Sequence, residues 1–157
     1  MSGYTRILVA VDFSPAAEIV GRRAVEMARR HDAVLHLVHV VDYLMPLGFA
    51  DDFTPSPAVM VDEEALLEQG RKSLHRYAEK LGCADVSQSV VLGAPKQEIV
   101  RLAREIPCDL IVIGSHGRHG LARLLGSTAR AVLNDAPCDV LAVRIGEEGE
   151  TDKIKRG

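Results

Sequence analysis

The chain has 157 residues and a formal net charge of -3 at pH 7, which argues against wholesale binding to nucleic acid or to anionic membranes. Its length and its 47% hydrophobic content allow one domain with a substantial core. Aromatic residues make up only 4% and tryptophan is absent, so the core must consist mainly of Val, Leu, Ile and Ala. This composition is typical of parallel strands covered by helices. No apolar run approaches the roughly 18 residues needed to span a bilayer.

The N-terminal sequence reaches an apolar strand at Arg6. This leaves no room for a signal peptide, so we expect a cytoplasmic protein. The three cysteines, Cys83, Cys108 and Cys138, are an odd number without metal-like spacing. They are expected to be buried or half-buried thiols in a reducing compartment, rather than redox or metal ligands.

The first third of the chain predicts a strand, a helix and a second strand. An apolar run rich in β-branched residues covers 6–12, and a second apolar run covers 33–41. Between them, Ser14 is expected to be the N-cap of a helix and Pro15 its first residue. A βαβ unit of this length requires a parallel strand pair and a right-handed crossover.

The segment 42–61 lacks periodicity and contains three prolines. It predicts an unusually long loop, for which a lid, a contact surface and plain mobility remain open. An amphipathic helix is predicted over 62–81, with Gly82 ending it. The third strand, 86–92, is more polar than the others, which indicates an edge of the sheet.

The remaining elements follow the same alternation. They are a helix opened by Ala94-Pro95, a fourth strand over 109–113, a helix over 127–134 and a fifth strand over 139–145. Five parallel strands and four helices predict a doubly wound α/β sheet with helices on both faces. We expect a single domain over 1–145 and a flexible charged tail over 146–157.

A glycine-rich stretch between the fourth strand and the last helix carries the strongest functional signal. Glycines let backbone N–H groups approach an anion, and a helix N-terminus adds unpaired donors and the positive end of a dipole. No Asp or Glu occurs from Gly114 to Leu133, although the chain contains 22 acidic residues. Arg118, Arg123 and Arg130 lie there instead. The stretch therefore predicts anion binding, the alternative being a solvated basic loop that only turns the chain.

Other candidates lie where the strands are expected to end. Asp12 can accept hydrogen bonds from a ribose or a base or hold a Mg²⁺-bound water, or it can brace the turn into the first helix. Val40 can wall an adenine pocket or belong to the core. Ser127 and Thr128 can donate hydroxyls to phosphate, or Ser127 can serve as an N-cap. If the first and fourth strands are neighbours where the strand order reverses, Asp12 and Gly114 face one crevice.

The chain lacks several signatures of catalysis. It has no P-loop, no Gly-x-Gly-x-x-Gly turn after its first strand and no serine nucleophile elbow. His116 and His119 have no matching Cys, His or Asp set, which argues against a structural metal. No residue qualifies as a catalytic base, so the sequence favours a binding protein over an efficient enzyme.

Four segments resemble the universal stress protein family. They are RILVAVDFS at 6–14, LHLVHVV at 35–41, DLIVIG at 109–114 and GSHGRHGLARLLGSTARAVLNDAPCDVLAVR at 114–144. The resemblance implies the strand order 3-2-1-4-5 and a homodimer formed through the fifth strand. The ATP-binding branch of that family carries Gly, two residues, Gly, nine residues, Gly, then Ser or Thr. Gly114, Gly117, Gly126 and Ser127 match these positions, with eight residues rather than nine between Gly117 and Gly126.

The resemblance also implies a set of binding residues. Adenosine is expected to contact Ala10, Val11 and Asp12, with Val40 packed on the base, while Gly114, His116, Gly117, Gly126, Ser127 and Thr128 line the phosphates. The implied protein is a cytoplasmic dimeric stress-response regulator that binds ATP, with Mg²⁺ as a companion ion and slow hydrolysis at most. The short spacer favours an alternative, a dimeric interaction module of the same family that binds no nucleotide. A third possibility is a nucleotidyl-transferring or hydrolysing enzyme on a related fold. The sequence offers no catalytic base for such an enzyme.

Overall fold

The computed structural model describes residues 3–42, 62–115 and 125–145. Strands and helices alternate through these residues as the sequence predicts. The elements are β1 (Arg6–Ala10), α1 (Ala17–His31), β2 (Val34–Val41), α2 (Glu63–Lys80), β3 (Ser87–Leu92), α3 (Pro95–Glu105), β4 (Leu110–Gly114), α4 (Ser127–Asp135) and β5 (Asp139–Val143). Apart from Asp42, the predicted long loop lies outside the described residues, as does the predicted tail over 146–157.

All five strands are parallel, in the order β3-β2-β1-β4-β5. This confirms the doubly wound sheet, its strand order and the edge position of β3. At the centre of the sheet Ile7 pairs with Leu35 on one side and with Leu110 on the other. The strand order reverses between β1 and β4, which is the position where such sheets place their ligands.

Helices cover both faces of the sheet because side chains of a strand alternate between faces. On one face Ile7 and Val9 are fully buried with Leu74 of α2, and α1 belongs to the same cluster. On the other face Leu8 and Ile111 are fully buried with Val132 of α4, and α3 completes that cluster. In the described part of the chain no helix is both long and apolar enough to cross a membrane.

The start of α1 differs from the prediction. The helix begins at Ala17 with Ala16 as its N-cap residue, so the predicted start at Ser14 and Pro15 was wrong. The N–H of Ser14 donates to the carboxylate of Asp12 at 2.9 Å, and its carbonyl accepts from the N–H of Ala17 at 3.0 Å. Asp12 therefore forms a side-chain turn with the backbone two residues on, and Ser14 belongs to that turn.

The two ends of α2 are defined by local chemistry. Asp62 is the N-cap, and its carboxylate accepts a hydrogen bond from the N–H of Ala65 at 3.1 Å. Gly82 follows the helix with a φ of 72°, in the left-handed region that glycine adopts without steric cost. The predicted end of this helix is therefore confirmed.

Candidate functional site

A cleft of about 570 Å³ opens at the carboxyl ends of β1, β2 and β4. The amino ends of α3 and α4 form its other walls. Its lining residues are Ala10, Val11, Asp12, Val38, His39, Val40, Val41, Asp42, Pro95, Ile99, Ile113, Gly114, Gly126, Ser127, Thr128 and Ala129. Small-molecule sites usually have volumes of roughly 300–1,000 Å³, so the cleft is of the size expected for a ligand such as a nucleotide.

The chain that leaves β1 forms one side of the cleft. Val11 is buried, and its N–H donates to the carbonyl of Val38 at 2.8 Å. The next residue, Asp12, is exposed, and its Oδ1 accepts the hydrogen bond from Ser14. Bracing the turn was the structural alternative for Asp12, and it is confirmed. This bond uses Oδ1, and Asp12 also lines the cleft.

His39 of β2 stabilises the same segment through a hydrogen bond to its backbone. It was not among the predicted site residues. Its Nδ1 lies 2.7 Å from the carbonyl oxygen of Val11, and because a carbonyl only accepts, this nitrogen carries the proton. The ring also packs against Phe13, with centroids 4.3 Å apart. Phe13 has a φ of 54°, a conformation that its neighbours must stabilise. His39 therefore fixes the turn that presents Asp12.

The floor of the cleft is apolar. Val38 and Ile99 are almost fully buried, and Ile113 is 5% exposed. Val40 is half-buried and packs against the cluster beneath α3 and α4. Val40 also lines the cleft, on a wall that suits a flat aromatic ring.

The opposite side of the cleft is the start of α4. Its N-cap residue is Gly126, with φ -61° and ψ 156° and no side-chain cap. Ser127 is the first helical residue, so the alternative that Ser127 is the N-cap was wrong. The first turn of α4 contains no acidic residue. Its leading N–H groups and the positive end of the helix dipole therefore lie along the cleft.

Ser115 joins the two sides of the glycine-rich stretch and was missed by the sequence analysis. It is buried, and its carbonyl accepts a hydrogen bond from the N–H of Gly126 at 2.7 Å. Its own N–H donates to Val143 at 2.9 Å, and its hydroxyl accepts from Ile145 at 3.3 Å. Gly126 is thus held beside Gly114 despite the eight-residue spacer. The only signal in the sequence was a polar residue that ends an apolar run.

The cleft brings together most of the predicted site residues. These are Ala10, Val11, Asp12, Val40, Gly114, Gly126, Ser127 and Thr128. His116 and Gly117 lie outside the described residues. Within the described ranges no group of three or more His, Cys, Asp or Glu side chains could hold a metal ion.

Comparison with known proteins identifies relatives along almost the whole chain. A model of the universal stress protein family matches residues 3–144. The chain is 40% identical over 146 residues to universal stress protein A homolog 2 of Coxiella burnetii, covering 92% of this chain and 98% of that protein. It is also similar to the structure of universal stress protein UspA from Lactobacillus plantarum, with 31% identity, a TM-score of 0.69 and coverage of 92% and 100%.

Two further solved structures of similar proteins contain nucleotides. One is a universal stress protein in complex with cAMP, at 28% identity and a TM-score of 0.60, covering 91% of this chain and 98% of that one. The other is the universal stress protein from Archaeoglobus fulgidus in complex with dAMP, at 26% identity and a TM-score of 0.58, covering 90% and 98%.

Proposed function

This chain belongs to the universal stress protein family, and we propose that it binds an adenine nucleotide, ATP foremost, in the cleft at the carboxyl edge of its sheet. One observation carries the proposal. The cleft joins an apolar floor, a carboxylate at its rim and a helix N-terminus without acids. These three surfaces match the base, the ribose and the phosphates of a nucleotide.

The adenosine half of the ligand lies between β1 and β2 in this proposal. Adenine packs on Val40 and the neighbouring apolar side chains, which exclude water from its faces. Ala10 and Val11 line this half of the cleft, and Asp12 accepts a hydrogen bond from a ribose hydroxyl through the oxygen that Ser14 does not use. Support comes from the relatives whose structures contain cAMP and dAMP.

The phosphates lie along the start of α4. Gly114 and Gly126 lack side chains that would keep an anion from the backbone, while Ser127 and Thr128 offer N–H groups and hydroxyls. From the family resemblance, His116 and Gly117 are expected to contact the phosphates as well. Mg²⁺ would arrive bound to the nucleotide phosphates, since it is usually held by phosphate oxygens, waters and one or two carboxylates. Asp12 and Asp42 supply carboxylates on the cleft wall.

We further propose that the protein is a cytoplasmic homodimer that regulates a stress response, with ATP hydrolysis slow at most. The dimer forms through β5, an edge strand whose outer side has no neighbour in the five-stranded sheet. A dimeric interaction module that binds no nucleotide is the second candidate, favoured by the short spacer between Gly117 and Gly126.

Thermal unfolding of the full chain separates the two candidates. A ligand that binds only the folded state stabilises it by mass action, by about 2.7 kcal/mol at a hundredfold excess over Kd. Millimolar Mg-ATP should therefore raise Tm by roughly 5–10 °C. AMP and adenosine should give successively smaller shifts as phosphates are lost, and GTP and inorganic triphosphate serve as controls. If no adenine nucleotide shifts Tm, the protein is the interaction module that binds no nucleotide.

A further inference from the structure

Two of the three cysteines lie against each other. The Sγ atoms of Cys108 and Cys138 are 3.8 Å apart, and neither thiol is in a disulfide. Cys108 is buried and Cys138 is half-buried, as the sequence predicts for isolated thiols, but the sequence gives no sign that they meet. A disulfide needs a sulfur–sulfur distance of about 2.05 Å, so a closure of roughly 1.8 Å by side-chain rotation would join them.

The strand pairing explains why these residues meet. Cys138 directly precedes β5, and Cys108 lies two residues before β4. Leu110 pairs with Asp139, so the two cysteines are diagonal neighbours at the amino ends of adjacent parallel strands. Residues offset by one position would point to opposite faces in regular strands, but Cys108 and Cys138 lie just outside β4 and β5, and both pack with the cluster beneath α3 and α4. The two thiols therefore meet on the same face of the sheet.

We propose that Cys108 and Cys138 form a reversible intramolecular disulfide when the protein meets a peroxide. The bond would close a loop across 30 residues of sequence. That loop contains β4, the glycine-rich stretch and α4, which carry one side of the cleft. The disulfide would lie at the amino ends of the strands, whereas the cleft lies at their carboxyl ends. It would therefore make the βαβ unit more rigid without entering the candidate site. Cytosolic disulfides are usually transient and redox-sensing.

The half-buried thiol reacts first. The Cys138 sulfur attacks one peroxide oxygen and the O–O bond breaks. Water is released, and Cys138 becomes a sulfenic acid. The Cys108 sulfur then attacks the Cys138 sulfur, so that the S–O bond breaks, the S–S bond forms and a second water leaves with the Cys108 proton. The two thiols lose two electrons, and the peroxide gains them.

The surroundings make this reaction slow. Burial raises the pKa of the Cys138 thiol, the hydrogen bond with Cys108 offsets part of that rise, and the nearby carboxylates of Asp139 and Asp109 add to it. Burial and the neighbouring Cys138 raise the pKa of Cys108 to about 12. Because the thiolate is the attacking species, little of either thiol is reactive at neutral pH. The pair is suited to sustained oxidant exposure rather than to brief pulses.

The test treats the reduced full chain with hydrogen peroxide, then blocks remaining thiols with N-ethylmaleimide under denaturing conditions. We expect a mass loss of two hydrogens and a single adduct, on Cys83. Trypsin should release peptide 105–118 linked to peptide 131–144, and dithiothreitol should separate them. The oxidised chain should melt roughly 5–10 °C higher than the reduced one. Cys83→Ala should keep the linked peptides and the Tm rise, whereas Cys138→Ser should lose both.

Three outcomes would overturn the proposal. In the first, Cys138 is oxidised to sulfinic acid while Cys108 remains a free thiol. In the second, the disulfide joins two chains. In the third, peroxide oxidises Cys83 before it oxidises Cys108 and Cys138. None of these measurements involves a nucleotide, so the result is independent of the proposed binding function.

Discussion

At the scale of single residues, Asp12 combines a structural and a proposed binding role in one carboxylate. Oδ1 accepts from the N–H of Ser14 at 2.9 Å, while Oδ2 is proposed to accept from the ribose. His39 supports both roles through its hydrogen bond to the carbonyl of Val11. The two oxygens can therefore be tested separately.

Replacing Asp12 by Asn provides that test. The amide oxygen can still accept from Ser14, so the free energy of unfolding should change by less than about 0.5 kcal/mol. The second position becomes an NH₂ donor, which cannot accept from a ribose hydroxyl. ATP affinity should fall roughly tenfold, or about 1.4 kcal/mol, in a calorimetric titration. Asp12→Ala is the matched control, because it should lose both affinity and stability. Unchanged affinity in Asp12→Asn would remove Asp12 from the binding site.

At the scale of elements, α4 lacks the side-chain cap that usually stabilises a helix N-terminus. Its N-cap, Gly126, has a φ of -61°, which any residue can adopt. The position therefore does not require glycine for backbone reasons. Under the proposed function, its glycine keeps the N–H groups of α4 open to phosphate.

Gly126→Asp should accordingly separate stability from binding. An aspartate N-cap satisfies an N–H group and interacts favourably with the helix dipole, so the free energy of unfolding should rise by about 0.3–1 kcal/mol. The same carboxylate would repel phosphates, so ATP affinity should fall at least tenfold while adenosine affinity changes little. Gly126→Asn is the control, because it caps without the charge. Denaturant unfolding and nucleotide titrations give the two readings, and full ATP affinity in the aspartate variant would contradict the phosphate site.

The same elements show what the sequence could and could not reveal. The apolar runs predicted β1, β2, β4 and β5, because parallel strands buried on both faces need continuous Val, Ile and Leu, and the more polar run at 86–92 predicted β3 as an edge strand. The start of α1 was misplaced, because Ser14 resembles a cap locally while the Asp12 turn uses its backbone instead. The hydrogen bonds of Ser115 and His39 were not predicted because their partners lie far along the chain, at Ile145 and Val11. Such partners become neighbours only when the sheet has formed.

At the scale of the whole molecule, no strand among the described residues pairs with the outer edge of β5. The carbonyl of Val143 accepts from Ser115 in the direction of β4. Alternate residues of a strand point their peptide groups to opposite sides, so the N–H of Ala142 points outward. An exposed edge strand of this kind invites pairing with another chain, and two-fold dimers are the commonest oligomers.

Light scattering on the wild type should therefore give the mass of two chains at micromolar concentration. Ala142→Pro removes an outward N–H and adds a ring at the proposed interface, while the hydrogen bonds from Val143 to the β4 side remain. This variant should be monomeric or much more weakly dimeric. A wild type that scatters as one chain without aggregating would exclude the β5 dimer.

We propose that the cleft between β1, β2 and the start of α4 is a nucleotide site. Calorimetric titration of the wild type with Mg-ATP measures it most directly. We expect one nucleotide per chain with a Kd below about 100 μM, corresponding to roughly 5.5 kcal/mol or more of binding free energy. Saturable binding that Gly126→Asp abolishes would agree with the cleft as the site. No saturable heat up to millimolar ATP, with protein shown by mass spectrometry to carry no bound nucleotide, would contradict it.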